Sequence, residues 1–173
     1  MNTVPQKLIN YAIHNSDLGD FLGLADVTLP KLDAMTSTVS GAGIGGEVDE
    51  PTIGHFKSME LTLNWRTHTR QNVLLSNMKN YNLDIRAAEQ YLDAGAGSYG
   101  HNAIKVLVRG TPKTTDLGKL SINSTADNNT VLELNYIKVT IDDKEVLEID
   151  KYNMKYVVNG VDQLSDVRRA LGI

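Results

Sequence analysis

Residues 131–150 read VLELNYIKVTIDDKEVLEID, and this stretch decides the fold class. Apolar and polar residues alternate from Val131 to Asp142, which is the period of a half-buried β-strand. Asp142, Asp143 and Lys144 supply the chemistry of a tight turn, and a short strand follows over residues 145–150. The stretch therefore predicts an antiparallel hairpin.

The segment NGVDQLSDVRRALGI, residues 159–173, predicts a C-terminal helix. Acidic Asp162 lies early in it, basic Arg168 and Arg169 lie late, and Gly172 is a stop signal. Apolar residues recur near the helical period, at Val161, Leu164, Val167 and Leu171. We expect this helix to cap the hairpin that precedes it.

The order LEID at residues 147–150, NGVDQL at 159–164 and ALGI at 170–173 resembles the tail tube proteins of contractile-tailed, P2-like bacteriophages and R-type bacteriocins. Residues 24–32, LADVTLPKL, resemble the strand and LPKL corner near the start of that family. A longer polar insertion, Thr111 to Asn129, departs from the family pattern. The resemblance implies a structural protein rather than an enzyme.

Composition suits a single domain over residues 1–173, since a chain of about 150 residues already buries roughly 70% of its unfolded surface. A net charge of −4 gives no reason to expect stable binding to DNA. The absence of cysteine excludes disulfides and thiolate sites. Residues 1–15 lack the apolar run of a secretory signal, and no segment resembles a membrane span, so we expect a soluble protein made in the cytoplasm.

Residues 31–65 predict a long hairpin whose arms are residues 32–40 and 56–65. A glycine-rich stretch, 41–46, and an acidic stretch, 47–51, form its tip. Residues 1–20 predict a short anchored N-terminal arm. The pattern alone favours a mobile surface hairpin, because two strands by themselves are marginal in water. The family resemblance instead favours a hairpin that pairs with neighbouring subunits in a closed ring.

Between the hairpin and residue 131 the pattern predicts one helix and several short strands. Residues 67–78 predict the helix, with Thr67 or Thr69 as its N-cap. Residues 83–92 fit either a helix or a strand, and the family resemblance favours a strand. Residues 103–110 predict a strand and 119–122 a weak one. The fold class is therefore mainly β with minor α: an antiparallel sandwich or barrel with a long hairpin, one internal helix and a C-terminal helix.

Motifs that carry chemistry are weak throughout the chain. Gly41, Gly43 and Gly46 satisfy the dinucleotide pattern G-x-G-x-x-G, but no helix is predicted after them to hold a pyrophosphate. The histidines are scattered without the spacing of a zinc site. No serine lies in a nucleophile elbow. We therefore predict no catalytic, metal or cofactor-binding residue.

The resemblance implies a tube subunit that forms stacked hexameric rings around a channel for DNA or ions. Its partners would be identical copies and the sheath, baseplate and tape-measure proteins, with DNA passing without specific binding. Assembly would occur in the bacterial cytoplasm and leave the protein in the virion tail. The candidates for lining the channel are Thr36, Thr38, Ser40, Ser58 and Glu60. The candidates for ring stacking are Gly41, Gly43, Gly45, Gly46, Glu47, Asp49 and Glu50.

The choice of lining residues depends on strand parity, because a one-residue error would point all of them away from the channel. Two alternatives remain open. A type VI secretion-like tube would also assemble into rings but export effectors. A monomeric β-sandwich that binds a ligand would need an aromatic platform, and aromatic residues make up only 6% of this chain.

Overall fold

The computed structural model describes residues 3–15, 20, 21 and 25–173. Leu24 and parts of the N-terminal arm lie outside the described residues. The strands are β1 (Thr3–Asn15), β2 (Asp20–Phe21), β3 (Ala25–Thr28), β4 (Ala34–Val39), β5 (Val48–Phe56), β6 (Glu60–Trp65), β7 (Tyr81–Asp93), β8 (Ser98–Asp116), β9 (Asn128–Ile141), β10 (Lys144–Asp150), β11 (Lys155–Val158) and β12 (Val161–Asp162). The helices are α1 (Arg70–Leu74) and α2 (Ser165–Leu171).

The main sheet is antiparallel and runs in the order β12-β11-β10-β9-β8-β7-β1-β2, with β6 and β3 as a branch from β9. Strands β4 and β5 form a separate two-stranded sheet. The predicted class is confirmed as mainly β and antiparallel with two helices; the sheets are sandwich-like, and the described strands do not close a barrel.

The branch arises because the two halves of β9 pair with different strands. Residues 128–133 pair with β6, whereas residues 136–141 pair with β10. A register shift between Arg109 and Gly110 leaves Asn135 of β9 as the extra residue of a β-bulge at this fork. A Cβ on Gly110 would lie 2.6 Å from the carbonyl oxygen of Glu133, so only glycine permits this approach. The bulge therefore lies where β9 changes its partner from β6 to β10.

The core lies between those layers. It contains apolar residues from β1, β6, β7, β8, β9 and β10, each at alternate positions of its strand. The fully buried ones include Ile13, Met59, Leu61, Leu63, Leu83, Leu132, Leu134 and Ile149. The single tryptophan, Trp65, is also buried there and donates its Nε1 hydrogen to the Thr130 hydroxyl at 3.2 Å.

The hairpin predicted from residues 131–150 is confirmed. Ile141 pairs with Lys144, so Asp142 and Asp143 form a two-residue loop. Both have positive φ, 47° and 61°, as a type I′ turn requires. This turn matches the twist of the strands, which is why short polar residues stand here.

The structure extends or shortens several predicted elements. Residues 83–92 form a strand, as predicted, within the longer β7, and residues 103–110 lie within β8. The prediction of a strand at 119–122 is wrong. Helix α1 is shorter than predicted and is capped by Thr69, whose hydroxyl accepts from the Asn72 amide. Neither helix is long and apolar enough to span a membrane.

The C-terminal helix is also shorter than the predicted 159–173. Val161 lies on β12 instead, because Val158 and Val161 pair across an Asn159-Gly160 turn with positive φ at both positions. Of the predicted apolar stripe, only Leu164 is buried. Arg168 pairs with Asp162 and donates to the Met154 carbonyl, which fixes α2 against the preceding turn.

Candidate assembly surfaces

The β4–β5 hairpin stands apart from the core. Every residue from 35 to 53 is exposed, although the ladder is regular from Thr36↔Pro51 to Val39↔Val48. The side chain of Thr38 donates to Asp49 across the ladder at 2.7 Å. An exposed two-stranded ladder has little burial to stabilise it. The hairpin is therefore the surface of this chain that gains most from a partner.

The base of the hairpin is attached to the C-terminal segment. Leu164, only 4% exposed, covers Gly54, whose φ is +71°. Phe56 packs edge-on against Tyr156, with ring centroids 5.1 Å apart. The Lys57 amide donates to the Asp33 carbonyl at 2.8 Å. These contacts fix the base of the hairpin to the rest of the protein, whereas residues 35–53 remain exposed.

All predicted ring-stacking residues lie at this tip. A Cβ on Gly41, Gly43, Gly45 or Gly46 would meet nothing within 4 Å, so these glycines do not serve internal packing. Glu47, Asp49 and Glu50 are exposed beside them. Strand β5 begins at Val48. The G-x-G-x-x-G pattern therefore lacks the helix that a dinucleotide site needs.

The predicted lining residues divide between two places. Thr36 and Thr38 share one face of β4, since residues two apart in a strand point the same way, and Ser40 follows the strand; all three are exposed. Placing Ser58 and Glu60 in the second hairpin arm was wrong. That arm is β5, and Glu60 begins β6, which pairs with β9 in the main sheet. The physical reason is burial: Met59, Leu61, Leu63 and Trp65 alternate into the core.

Ser58 and Glu60 instead join a cluster of charges on the outer side of β6 and β9. Glu60 lies directly opposite Glu133, a repulsive arrangement if left alone. Lys113 forms an ion pair with Glu60 and lies 3.9 Å from Glu133. The hydrogen bond to Glu60 raises the pKa of Lys113. Ser58 donates to Glu133, so both predicted residues are engaged within the chain.

A second network lies on the polar face of the main sheet. Glu148 accepts from the Tyr136 hydroxyl at 3.0 Å and from Lys155 at 2.6 Å. Burial acts to raise the pKa of Glu148, but the bonds from Lys155 and Tyr136 outweigh it and hold that pKa below its usual value. Burial, together with the bond to Glu148, raises the pKa of Tyr136. The charges on this face compensate one another.

The main sheet has strand edges without a ladder partner among the described residues, and two of them belong to β1 and β3. Residues 3–13 of β1 pair with β7 only, and β3 pairs with β6 only. The Tyr11 hydroxyl donates to Asp26 between these edges, where burial first and then the nearby carboxylate raise the pKa of Tyr11. An unpaired edge is a template for another strand. Sequence reasoning could not locate these edges, because pairing partners lie far apart in the chain.

The histidines do not meet at a metal site. Within the part of the chain that the structure describes, no group of three or more histidine, aspartate or glutamate side chains could hold an ion. The Nε2 of His68 donates to the Leu117 carbonyl at 2.7 Å, a structural contact between two loops.

Comparison with known proteins identifies the family of this chain. The family described as phage tail tube protein FII matches residues 5–172. The tail tube protein of Escherichia phage P2 is 31% identical over 177 aligned positions, which cover 96% of each protein. Both matches span the hairpin, the forked sheet and the C-terminal helix.

Proposed function

Because this chain belongs to the phage tail tube protein FII family and is a structural subunit of a tail tube, we propose that it forms hexameric rings that stack around a central channel. The observation that carries the proposal is the β4–β5 hairpin, a separate sheet exposed on both faces. A subunit that completes this ladder with its neighbours gains the burial that the monomer lacks.

Lateral pairing would use the free edges of the sheets. Among the described residues, the ladder of β1 over residues 3–13 lies on one side only, toward β7, and the hairpin offers two more edges. A ring removes every such edge, as a closed barrel does. An interface that does not close along the axis then adds ring to ring.

The hairpin also suggests how the channel is lined. Thr36, Thr38 and Ser40 would face the lumen, and the tip residues 41–50 would contact the next ring. Small hydroxyl side chains and acidic neighbours suit DNA transit, because a cationic wall would bind phosphates. Ser58 and Glu60 are poorer lining candidates than the β4 residues, since the Lys113 and Glu133 network engages them.

A tube of this kind implies further protein partners. We expect a contractile sheath outside it, a baseplate at one end and a tape-measure protein that sets its length. Assembly would take place in the bacterial cytoplasm, and the protein would end in the virion tail or a tail-like particle. The channel would pass DNA in a phage and ions in a bacteriocin-like particle.

Negative-stain microscopy of the purified protein tests the proposal directly. We expect annuli or rods at high concentration. A monodisperse monomer with no annuli at any concentration would refute ring formation and favour the ligand-binding sandwich. A neighbouring gene for a capsid would favour a phage over a secretion-like tube.

A deletion of residues 41–50 tests the stacking assignment. Residues 41–50 are all exposed and, among the described residues, pair only within the hairpin, so the variant should keep the core folded with Trp65 buried, yet fail to form rods. The control is Gly45→Ala, which keeps the length of the tip and meets no atom within 4 Å. Rods formed by the deletion variant would show that stacking uses another surface.

A further inference from the structure

The loop between β8 and β9 carries two unusually exposed aliphatic side chains. Leu120 is 91% exposed and Ile122 is 93% exposed, while Leu117 at the start of the loop is 59% exposed. Single exposed apolar residues are ordinary on protein surfaces. Two such side chains within three positions of one loop form a small exposed apolar patch.

Hydrogen bonds pin this loop at its base. The Lys119 amide donates to the Ala126 carbonyl, and the Ala126 amide donates to the Arg66 carbonyl, both at 2.9 Å. Gly118 has a φ of +64°, and a Cβ there would lie 2.0 Å from the Ala126 oxygen. Only glycine fits such a position. The loop is thus held in a defined conformation in which Leu120 and Ile122 are exposed.

The same chain has an apolar groove of about 360 Å³ that its described residues leave open. The groove lies between β3 and the neighbouring strands β1, β7 and β8. Leu29 and Leu8 on its rim are 51% and 47% exposed. Its lining includes Tyr11, Val27, Leu29, Ile85, Ile104 and Val106.

We propose that Leu120 and Ile122 of one subunit insert into this groove on a neighbouring subunit of the tube. The inference rests on the proposed function and names one of its contacts. Two observations favour a second copy as the occupant. The groove has room for two four-carbon side chains, and its rim carries the carboxylates of Asp26 and Glu89, whereas exposed Lys119 adjoins Leu120 on the loop.

The contact has a direction. The loop and the groove are different surfaces of one chain, so each subunit donates to one neighbour and receives from another. Such heterologous contacts generate rings when they close and filaments when they do not. A stacked tube contains both kinds of contact: contacts that close within each ring and contacts that continue from ring to ring along the axis.

Cross-linking tests the contact without background, because the chain has no cysteine. We would introduce Leu120→Cys and Leu8→Cys together and treat assembled protein with a short bismaleimide. The expected result is a ladder of covalent multimers. Each single-cysteine variant is the matched control and should stop at dimers. Assembled double-cysteine protein that also stops at dimers would overturn the inference.

A second variant keeps the test decisive if the cysteines perturb assembly. Leu120→Ser with Ile122→Ser should raise the protein concentration needed for tubes at least about tenfold, since central apolar anchors dominate interfaces. The matched control is Val161→Ser with Ile173→Ser, two other exposed aliphatic residues at 61% and 74%. Unfolding followed through Trp65 verifies that both variants fold.

The outcomes separate this inference from the function on which it rests. A wild-type protein that forms no rings or rods refutes the proposed function. A wild-type protein that assembles, with the Leu120→Ser and Ile122→Ser variant assembling equally well, refutes only the loop contact.

Discussion

Gly110→Ala tests the close approach of β8 to β9 at the fork. The added methyl would lie 2.6 Å from the Glu133 carbonyl oxygen and 2.7 Å from Leu134 Cδ2. The leucine could rotate, but the carbonyl belongs to the β9 backbone and cannot move without breaking the ladder. Overpacking of this kind typically costs about 1–3 kcal/mol.

Gly45→Ala is the control, because neither glycine needs a positive φ and a Cβ on Gly45 meets nothing within 4 Å. Both changes restrict the unfolded chain equally, which by itself stabilises by about 0.4–1 kcal/mol. The difference between the two variants therefore isolates the steric cost. At roughly 2–4 °C per kcal/mol for this size, Gly110→Ala should melt about 2–12 °C below Gly45→Ala.

The measurement is thermal unfolding of dilute, unassembled protein, followed through the fluorescence of the single tryptophan. Trp65 is buried in the same hydrophobic core, at the end of β6 away from the fork, so its emission reports unfolding of the whole core. Equal unfolding midpoints for the two variants would refute the reasoning, since they would mean that the strands do not approach closely at Gly110.

Three further predictions concern groups whose partners are known. Thr130→Val should cost about 1–3 kcal/mol, because it leaves the buried Trp65 N–H without an acceptor; equal stability in urea would show another acceptor. Thr69→Ala should lower the free energy of unfolding by about 0.5–2 kcal/mol, because α1 loses its N-cap. Thr67→Ala should lower it less in the same assay, because the backbone carbonyl that accepts from the Asn72 side chain remains. The lowered pKa of Glu148 means that its stabilising contribution is complete above the ordinary carboxyl pKa of about 4 and is lost as the pH falls through the lowered value. Glu148→Gln should therefore flatten the loss of stability measured below about pH 4, and Glu47→Gln should not.

The prediction of channel-lining residues shows where local reasoning fails. Residues 56–65 alternate as a hairpin arm should, and the alternation does produce a strand. Whether that strand pairs with β4 or with β9 depends on residues seventy positions away. The core contacts of Leu61 and Leu63 decide in favour of β9, so Ser58 and Glu60 leave the hairpin.

The C-terminal segment gives a similar result. The spacing of Val161, Leu164, Val167 and Leu171 predicts a helix, and part of it is one. Its role as the cover of Gly54, and hence as the anchor of the hairpin, has no local signal. The contact between Leu164 and Gly54 becomes evident only in the structure, where Gly54 has a φ of +71° and no side chain to keep Leu164 away.

The sequence by itself determined the antiparallel β class, the tight Asp142-Asp143 turn, the exposed glycine-rich tip and the tail tube family. These features depend on period, turn chemistry and motifs, which act over a few residues. Only the tertiary structure decided the fork at Gly110, the charge networks and the pinned loop with its exposed Leu120 and Ile122. Those features depend on which segments, far apart in the sequence, pack against each other and become buried. Such packing leaves no pattern within a short stretch of sequence.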